Sequence, residues 1–259
     1  MNQPRIDLNA DMGESFGPWL MGNDAALLDV ISSANIACGL HAGDWDVMDR
    51  TMRLAVERGV GIGAHPGLPD LQGFGRREMQ MPLPSAANLV RWQLGAAQAM
   101  ARAAGGEVRH LKLHGALANM AARDETLAAA CFEGALSVAP DLILVVLAGT
   151  AQQAAAGRLG ARVACEIFAD RAYNPDATLV DRRLPGAVIH DPALAAHRVL
   201  RMVRAGAILP EDGTPIPARI DTICLHGDTP GAVEIARAVR AALTGAGVAV
   251  ARFDGVPLV

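Results

Sequence analysis

Short apolar runs alternate with longer Ala-rich stretches along the chain, and no other feature restricts the fold as much. The runs are RIDLNAD, SANIACGLH, GVGIGAH, VRHLKLH, LILVVLAG, ARVACEIFAD, IDTICLH and GVAVARFD. Their length suits strands. Between them, DVMDRTMRLAVERG, ANLVRWQLGAAQAMARAAGG and GAVEIARAVRAALTGAG carry a helical period, and glycine closes each, as a helix C-terminus demands. Such alternation predicts a parallel sheet covered by helices. Seven or eight strands in 259 residues favour a closed (β/α) barrel over an open doubly wound sheet. No Pro/Ser-rich linker interrupts the pattern, so one barrel domain over residues 1–259 is expected. Two long loops, 170–186 and the Pro-rich 209–219, read as insertions of the kind that often serve as lids.

Strand residues two apart share a face. In the first run Asp7, Asn9 and Asp11 lie opposite Ile6, Leu8 and Ala10. The second sets Asn35, Ala37, Gly39 and His41 against Ile36, Cys38 and Leu40. The third sets Gly61, Gly63 and His65 against Ile62 and Ala64. The fourth sets His110, Lys112 and His114 against Leu111 and Leu113. Glu166, Phe168 and Asp170 share a face in the sixth, and Thr222, Cys224 and His226 in the seventh. The fifth has no polar face and is expected only to close the wall. If the apolar faces meet the helices, the polar faces point into the barrel. Barrel interiors are normally filled with branched aliphatics. Ionisable groups there are costly unless they pair, bind a metal or line a wet pocket.

Four of the seven histidines, His41, His65, His114 and His226, end apolar runs with glycine close behind. Strand carboxyl ends are where barrel active sites lie. One buried histidine has many explanations. Four converging on one mouth beside Asp11 point to a metal site or to acid–base work. Asp7, Asp11, Glu14, Glu166 and Asp170 are candidate ligands, imidazole orienters or general bases. Lys112 is the one lysine among 23 basic residues. On the inner face it reads as a charge aimed at substrate, as a proton carrier of lowered pKa, or as a structural partner of Asp7 or Glu166. Arg76 and Arg77, Arg171, and Arg182 and Arg183 sit in loops where they could clamp a carboxylate or phosphate, or simply face solvent.

Composition excludes several classes. Apolar residues make up 51% and aromatics 3%, so the chain is globular with an aliphatic core. A net charge of −4 without a basic patch argues against nucleic acid or an anionic membrane as partner. The acidic N-terminal MNQPRIDLNADMGE has no signal-peptide core, and the longest apolar run is too short to span a bilayer, so a soluble cytoplasmic protein is expected. Cys38, Cys131, Cys165 and Cys224 form no C-x-x-C pair and read as small buried hydrophobes. Neither a standard phosphate-binding loop nor a G-x-S-x-G elbow is present.

The blocks IDLNADMGESFG, SANIACGLHAGD, GAHPGLPD with GFGRR, LKLHGAL, FADRAY and CLHGD resemble the LamB/YcsF family in order and content. That resemblance implies a seven-stranded, irregular (β/α) barrel akin to NodB-type sugar deacetylases. It implies an ATP-dependent opening of 5-oxo-L-proline by water to L-glutamate, with release of ADP and phosphate. Family members act with separately encoded 5-oxoprolinase subunits B and C. By motif match, and with the loop arginines added, the catalytic candidates are Asp11, Glu14, His65, Lys112, His114, Glu166 and Asp170. Asp7, Asn9, Asp44, Arg76, Arg171 and Asp228 are candidates for substrate or nucleotide binding. His41, His65 and His226 are candidate ligands of a divalent metal. Leu113, Ala118 and Ala177 depart from the family, which often has proline, tyrosine and glycine there. The competing expectations are a metal-dependent deacetylase acting alone and a non-catalytic subunit that delivers substrate.

Overall fold

The computed structural model describes residues 4–211, 213–228 and 231–258. Its strands are β1 (Arg5–Met12), β2 (Ser33–Ala37), β3 (Gly61–His65), β4 (Val108–Lys112), β5 (Ile143–Leu147), β6 (Arg162–Phe168), β7 (Ala207–Ile208), β8 (Ile216–Pro217), β9 (Thr222–His226) and β10 (Ala249–Val250). The helices are α1 (Asp24–Leu28), α2 (Trp45–Glu57), α3 (Leu83–Ala103), α4 (Gly115–Ala121), α5 (Glu125–Leu136), α6 (Ala151–Arg158), α7 (Pro192–Ala205) and α8 (Ala232–Gly245).

Seven strands close a parallel barrel in the order β1-β2-β3-β4-β5-β6-β9, with β9 returning to β1. The eighth apolar run does not enter the wall. From Asp7 onward β1 is paired with β2 or β9, so β10 reaches only Arg5 and Ile6. The chain then crosses the floor of the barrel, where Phe253 packs with Ile143, Val145 and Ala164 and meets the His110 ring edge-on at 5.2 Å.

The alternation sorts the faces as expected. Ile6, Leu8, Ala10 and Met12 are buried outward against helices. Alanine-rich helices allow close approach: a Cβ on Gly134 of α5 would lie 2.3 Å from the Ala87 carbonyl oxygen of α3. Helices α2, α3 and α8 are each followed within two residues by a left-handed glycine, Gly59, Gly105 and Gly247. Gly63 faces inward, and a Cβ there would sit 2.0 Å from the His110 ring, so the glycine makes room for that histidine. The wall is irregular at one place, where the register between β3 and β4 shifts and Arg109 is bulged out.

The two long loops part company. Residues 170–189 fold over the mouth, tied by the bridges Arg171–Val188 and Tyr173–Leu179. The Pro-rich loop instead pairs β7 with β8 and leads into the start of β9; none of its described residues lines the mouth, and Asp212 lies outside the described residues. The expectation of a second lid is corrected by topology, because a segment entering the N-terminal end of a strand is at the far end from the site. No helix among the described residues is long and apolar enough to cross a membrane. The four cysteines are free and buried.

Candidate active site

The barrel interior is a polar column in layers. At the floor the Asp7 carboxylate accepts hydrogen bonds from Ser32 and Ser33 Oγ, both at 2.7 Å, and from Thr222 Oγ1. Burial raises its pKa to about 6 against the pull of those hydroxyls. One layer up, Asn9 Nδ2 donates to Glu166 Oε1 at 2.9 Å and to Thr222 Oγ1 at 2.7 Å. Asn35 Nδ2 bridges Asn9 Oδ1 and Asp11 Oδ1, and its own Oδ1 accepts from His110 Nε2 at 2.9 Å. Asn35 is the hinge of the column, yet an inward asparagine carries no distinctive signal in a single sequence.

Above this lies Lys112. Its Nζ donates to Asp11 Oδ1 at 2.9 Å and to Cys224 Sγ at 2.8 Å, and lies 3.0 Å from Glu166 Oε1. The Phe168 ring centroid is 5.0 Å away. Burial alone would depress the ammonium, but Asp11, Cys224 and Glu166 hold its pKa well above the usual value. Lys112 is therefore a fixed positive charge and not a lowered-pKa proton carrier. Its partners are Asp11 and Glu166; Asp7 is engaged by hydroxyls at the floor. Asp11 is also buried, yet the neighbouring His65 ring and the Lys112 ammonium hold it well below the ordinary carboxylate range. Burial raises Glu166, with Lys112 opposing.

The histidines form two groups. His65 ends β3 and directs Nδ1 to the Lys112 carbonyl oxygen at 2.8 Å, while Nε2 lies 3.4 Å from Asp11 Oδ2. His114 directs Nε2 to the Phe74 carbonyl oxygen at 2.8 Å and places Nδ1 3.0 Å from His65 Nε2. His41 stacks on His114 with centroids 3.7 Å apart. His41 is not on the inner face of a strand, as alternation suggested: β2 stops at Ala37, and Gly39 at φ 90° turns the chain before His41 is reached. Burial first, and neighbouring imidazoles next, push His41 and His114 well below the usual histidine value. Glu14 is pushed well above its usual value by burial, Asp11 and Asp228. One ligand atom each from Glu14, His41, His65 and His114 lie within 4.8 Å of one another, a grouping able to hold a metal; Asp11, Cys224 and His226 form a second such group.

His226 lies apart from His41 and His65. Its Nδ1 donates to Asp170 at 2.8 Å, and its ring stacks on Phe168. Burial would raise Asp170, but His226 and Arg171 hold it below the usual range. Arg171 ties the lid by donating to the Val180 and Ala187 carbonyls. Burial, then Arg182, lowers it to about 10.

The column opens into a cavity of about 740 Å³. Of the expected site residues, Asp11, Glu14, His65, Arg76, Lys112, His114, Glu166, Arg171, His226 and Asp228 line it. Arg76 Nη2 donates to Asp228 at 2.7 Å across the mouth. Asp7 and Asn9 lie in the column beneath. Asp44 caps α2, accepting from Val47 N at 2.8 Å, and also holds Gly17 N at 2.7 Å. Arg182 and Arg183 from the lid also line the cavity.

Residues 6–257 match the model of the LamB/YcsF family. The A-type 5-oxoprolinase component of Ruegeria pomeroyi is 66% identical over 250 residues, covering 96% of this chain and 99% of that one. The crystal structure of a lactam utilization protein from Thermus thermophilus superposes with a TM-score of 0.90 at 45% identity, covering 96% and 100% of the two chains. A T48 deacetylase solved with substrate shares the fold alone, with a TM-score of 0.50 and 14% identity over 98% and 96%. The six sequence blocks that furnish the column and its mouth fall within the matched span, and the chain belongs to the LamB/YcsF family.

Proposed function

We propose that this chain is the barrel component of an ATP-dependent 5-oxoprolinase, a single catalytic domain acting in the cytoplasm with subunits B and C. The overall reaction opens 5-oxo-L-proline with water to L-glutamate while ATP becomes ADP and phosphate. One observation carries the reading beyond likeness to named relatives: a buried Lys112 ammonium held by Asp11 and Glu166 at the base of an arginine-rimmed cavity.

A lactam is a resonance-stabilised amide, and its opening gathers negative charge on the carbonyl oxygen. ATP coupling offsets the unfavourable equilibrium, with the lactam oxygen as phosphoryl acceptor and water then attacking the ring carbon. Lys112 is placed to stabilise that charge in a site where it needs no reorganisation. The Asp170–His226 pair supplies an oriented imidazole for proton transfer. Glu14, whose carboxyl burial pushes above its usual value, lines the same mouth. Arg76 and Arg182 suit a substrate carboxylate or a phosphate.

The test is glutamate release from 5-oxoproline and ATP in a host extract depleted of this chain. Restored, ATP-dependent release on adding the purified chain is expected. No restoration, with subunits B and C shown to be present, overturns the reading. The histidine group would then favour a metal-dependent deacetylase acting alone.

A further inference from the structure

The histidines at the mouth present a hydrogen-bonding problem that protein atoms do not solve. A backbone carbonyl only accepts, so the 2.8 Å contact with the Lys112 carbonyl places the proton of His65 on Nδ1. The 2.8 Å contact with the Phe74 carbonyl likewise places the proton of His114 on Nε2. The nitrogens left over, His65 Nε2 and His114 Nδ1, face each other at 3.0 Å as two lone pairs. Asp11 Oδ2, a third acceptor, lies 3.4 Å from the same Nε2. Three acceptors around one point call for a cation between them.

An added proton on His65 would satisfy that contact and no more. His41 is wholly buried, and neither of its ring nitrogens has a hydrogen-bond partner among the described residues. Its ligand atom and that of Glu14 lie within 4.8 Å of the other two. A metal ion answers both needs at once. We propose that Glu14, His41, His65 and His114 form a binding site for a divalent first-row metal of the zinc class. Three imidazoles and one carboxylate suit such an ion and not magnesium or calcium, which take oxygen ligands.

The surroundings support the set. Metal-bound imidazoles almost always anchor their other N–H on a carbonyl or carboxylate, as His65 and His114 do. The carbonyl that anchors His114 belongs to Phe74, a non-glycine residue held at φ 55°, in the left-handed region that side chains other than glycine rarely adopt. Glycine flanks the rings where no side chain fits. A Cβ on Gly67 would lie 2.5 Å from His41 Nδ1, and one on Gly75 would lie 2.8 Å from His114 Cδ2. The site stands whatever reaction the mouth performs.

The full-length chain is stripped with chelator and dialysed against Zn²⁺ or Co²⁺. One equivalent bound is expected, with X-ray absorption of the Co²⁺ form showing imidazole back-scattering. His41→Ala and His114→Ala should each weaken binding by more than about 100-fold, beyond the loss usual for an outer partner. His226→Gln should leave stoichiometry and spectrum unchanged, because that ring is held by Asp170 on another wall. A chain that stays metal-free, an oxygen-only shell, or binding lost with His226 and kept without His41 overturns the proposal. The wild-type spectrum decides the matter even if a variant fails to fold.

Discussion

The floor and the mouth of the barrel interior put the same residue types to opposite uses. At the floor, the Asp7 carboxylate has three hydroxyl donors, and Phe253 seals the opening beneath it. At the mouth, Asp11 and Glu166 share one ammonium, three imidazoles crowd a single point, and both ring nitrogens of His41 lack a hydrogen-bond partner among the described residues. Neutral hydroxyls suffice to bury one carboxylate. Permanent charges and surplus lone pairs are costly and serve only where a ligand will meet them. The contrast separates acids that hold the barrel together from those the proposed reaction would use.

Lys112 offers the largest break. Lys112→Met removes the cation and leaves Asp11 and Glu166 buried without compensation, which costs about 3–5 kcal/mol of stability at pH 7. Glutamate release in the add-back assay should fall to background. The stability deficit should narrow as pH falls, because Glu166, already raised by burial and then without the opposing Lys112, takes up a proton. Denaturant unfolding at pH 7 and at a lower pH checks this. An equal deficit at the two would mean that Lys112 contributes packing and not charge.

That column was largely legible in the chain. Parity placed Asp7, Asn9, Asp11, His110, Lys112, Glu166 and Cys224 on the inner faces, and the structure brings them together. The rule works because hydrogen-bonded strands have a strict two-residue period. It fails where pairing ends. His41 lies beyond Ala37 in a loop, so its place beside His114 depends on Gly39, Gly67 and Gly75, and loop paths have no periodic signal. Asp44 matched a family block, but the side chain is a helix cap, and capping and binding draw on the same short polar residues. The run GVAVARFD had strand composition; the neighbours of β1 were already taken, and competition for edges is a property of the whole barrel.

The floor acid gives a second break, visible in pH and not in activity. The pKa of Asp7 is about 6 in the fold against about 3.8 in the unfolded chain. Below about pH 3.8 both states hold the proton. Between about 3.8 and 6 only the folded state does, so stability falls as pH rises, by about 3 kcal/mol in all at 1.36 kcal/mol per unit. Asp7→Asn should abolish that slope, gaining on the wild type from pH 4 to 6.5 in paired unfolding curves. Asp11 has the opposite sign in another window: its contribution is present above about 3.8 and is lost as pH falls through its depressed value. Turnover of Asp7→Asn at pH 7 should stay within a few-fold of wild type. Loss of turnover with the slope intact would place Asp7 in the chemistry.

Asp170 gives the smallest and most selective break. It lies beneath the mouth and reaches it only through His226, whose Nδ1 it holds at 2.8 Å. Asn in its place keeps the volume and can still present an oxygen, but with no net charge and with a competing donor. The imidazole then loses the partner that fixes its tautomer and orientation. Asp170→Asn should lower kcat by about 100-fold, or about 2.7 kcal/mol, and leave KM near wild type, since the cavity lining is unchanged. The fold should be kept, because Arg171 still ties the lid through the Val180 and Ala187 carbonyls. A raised KM with kcat intact would make Asp170 a substrate-binding group. A drop in both thermal stability and activity would return it to the side of Asp7, an acid that holds the barrel together and does no chemistry.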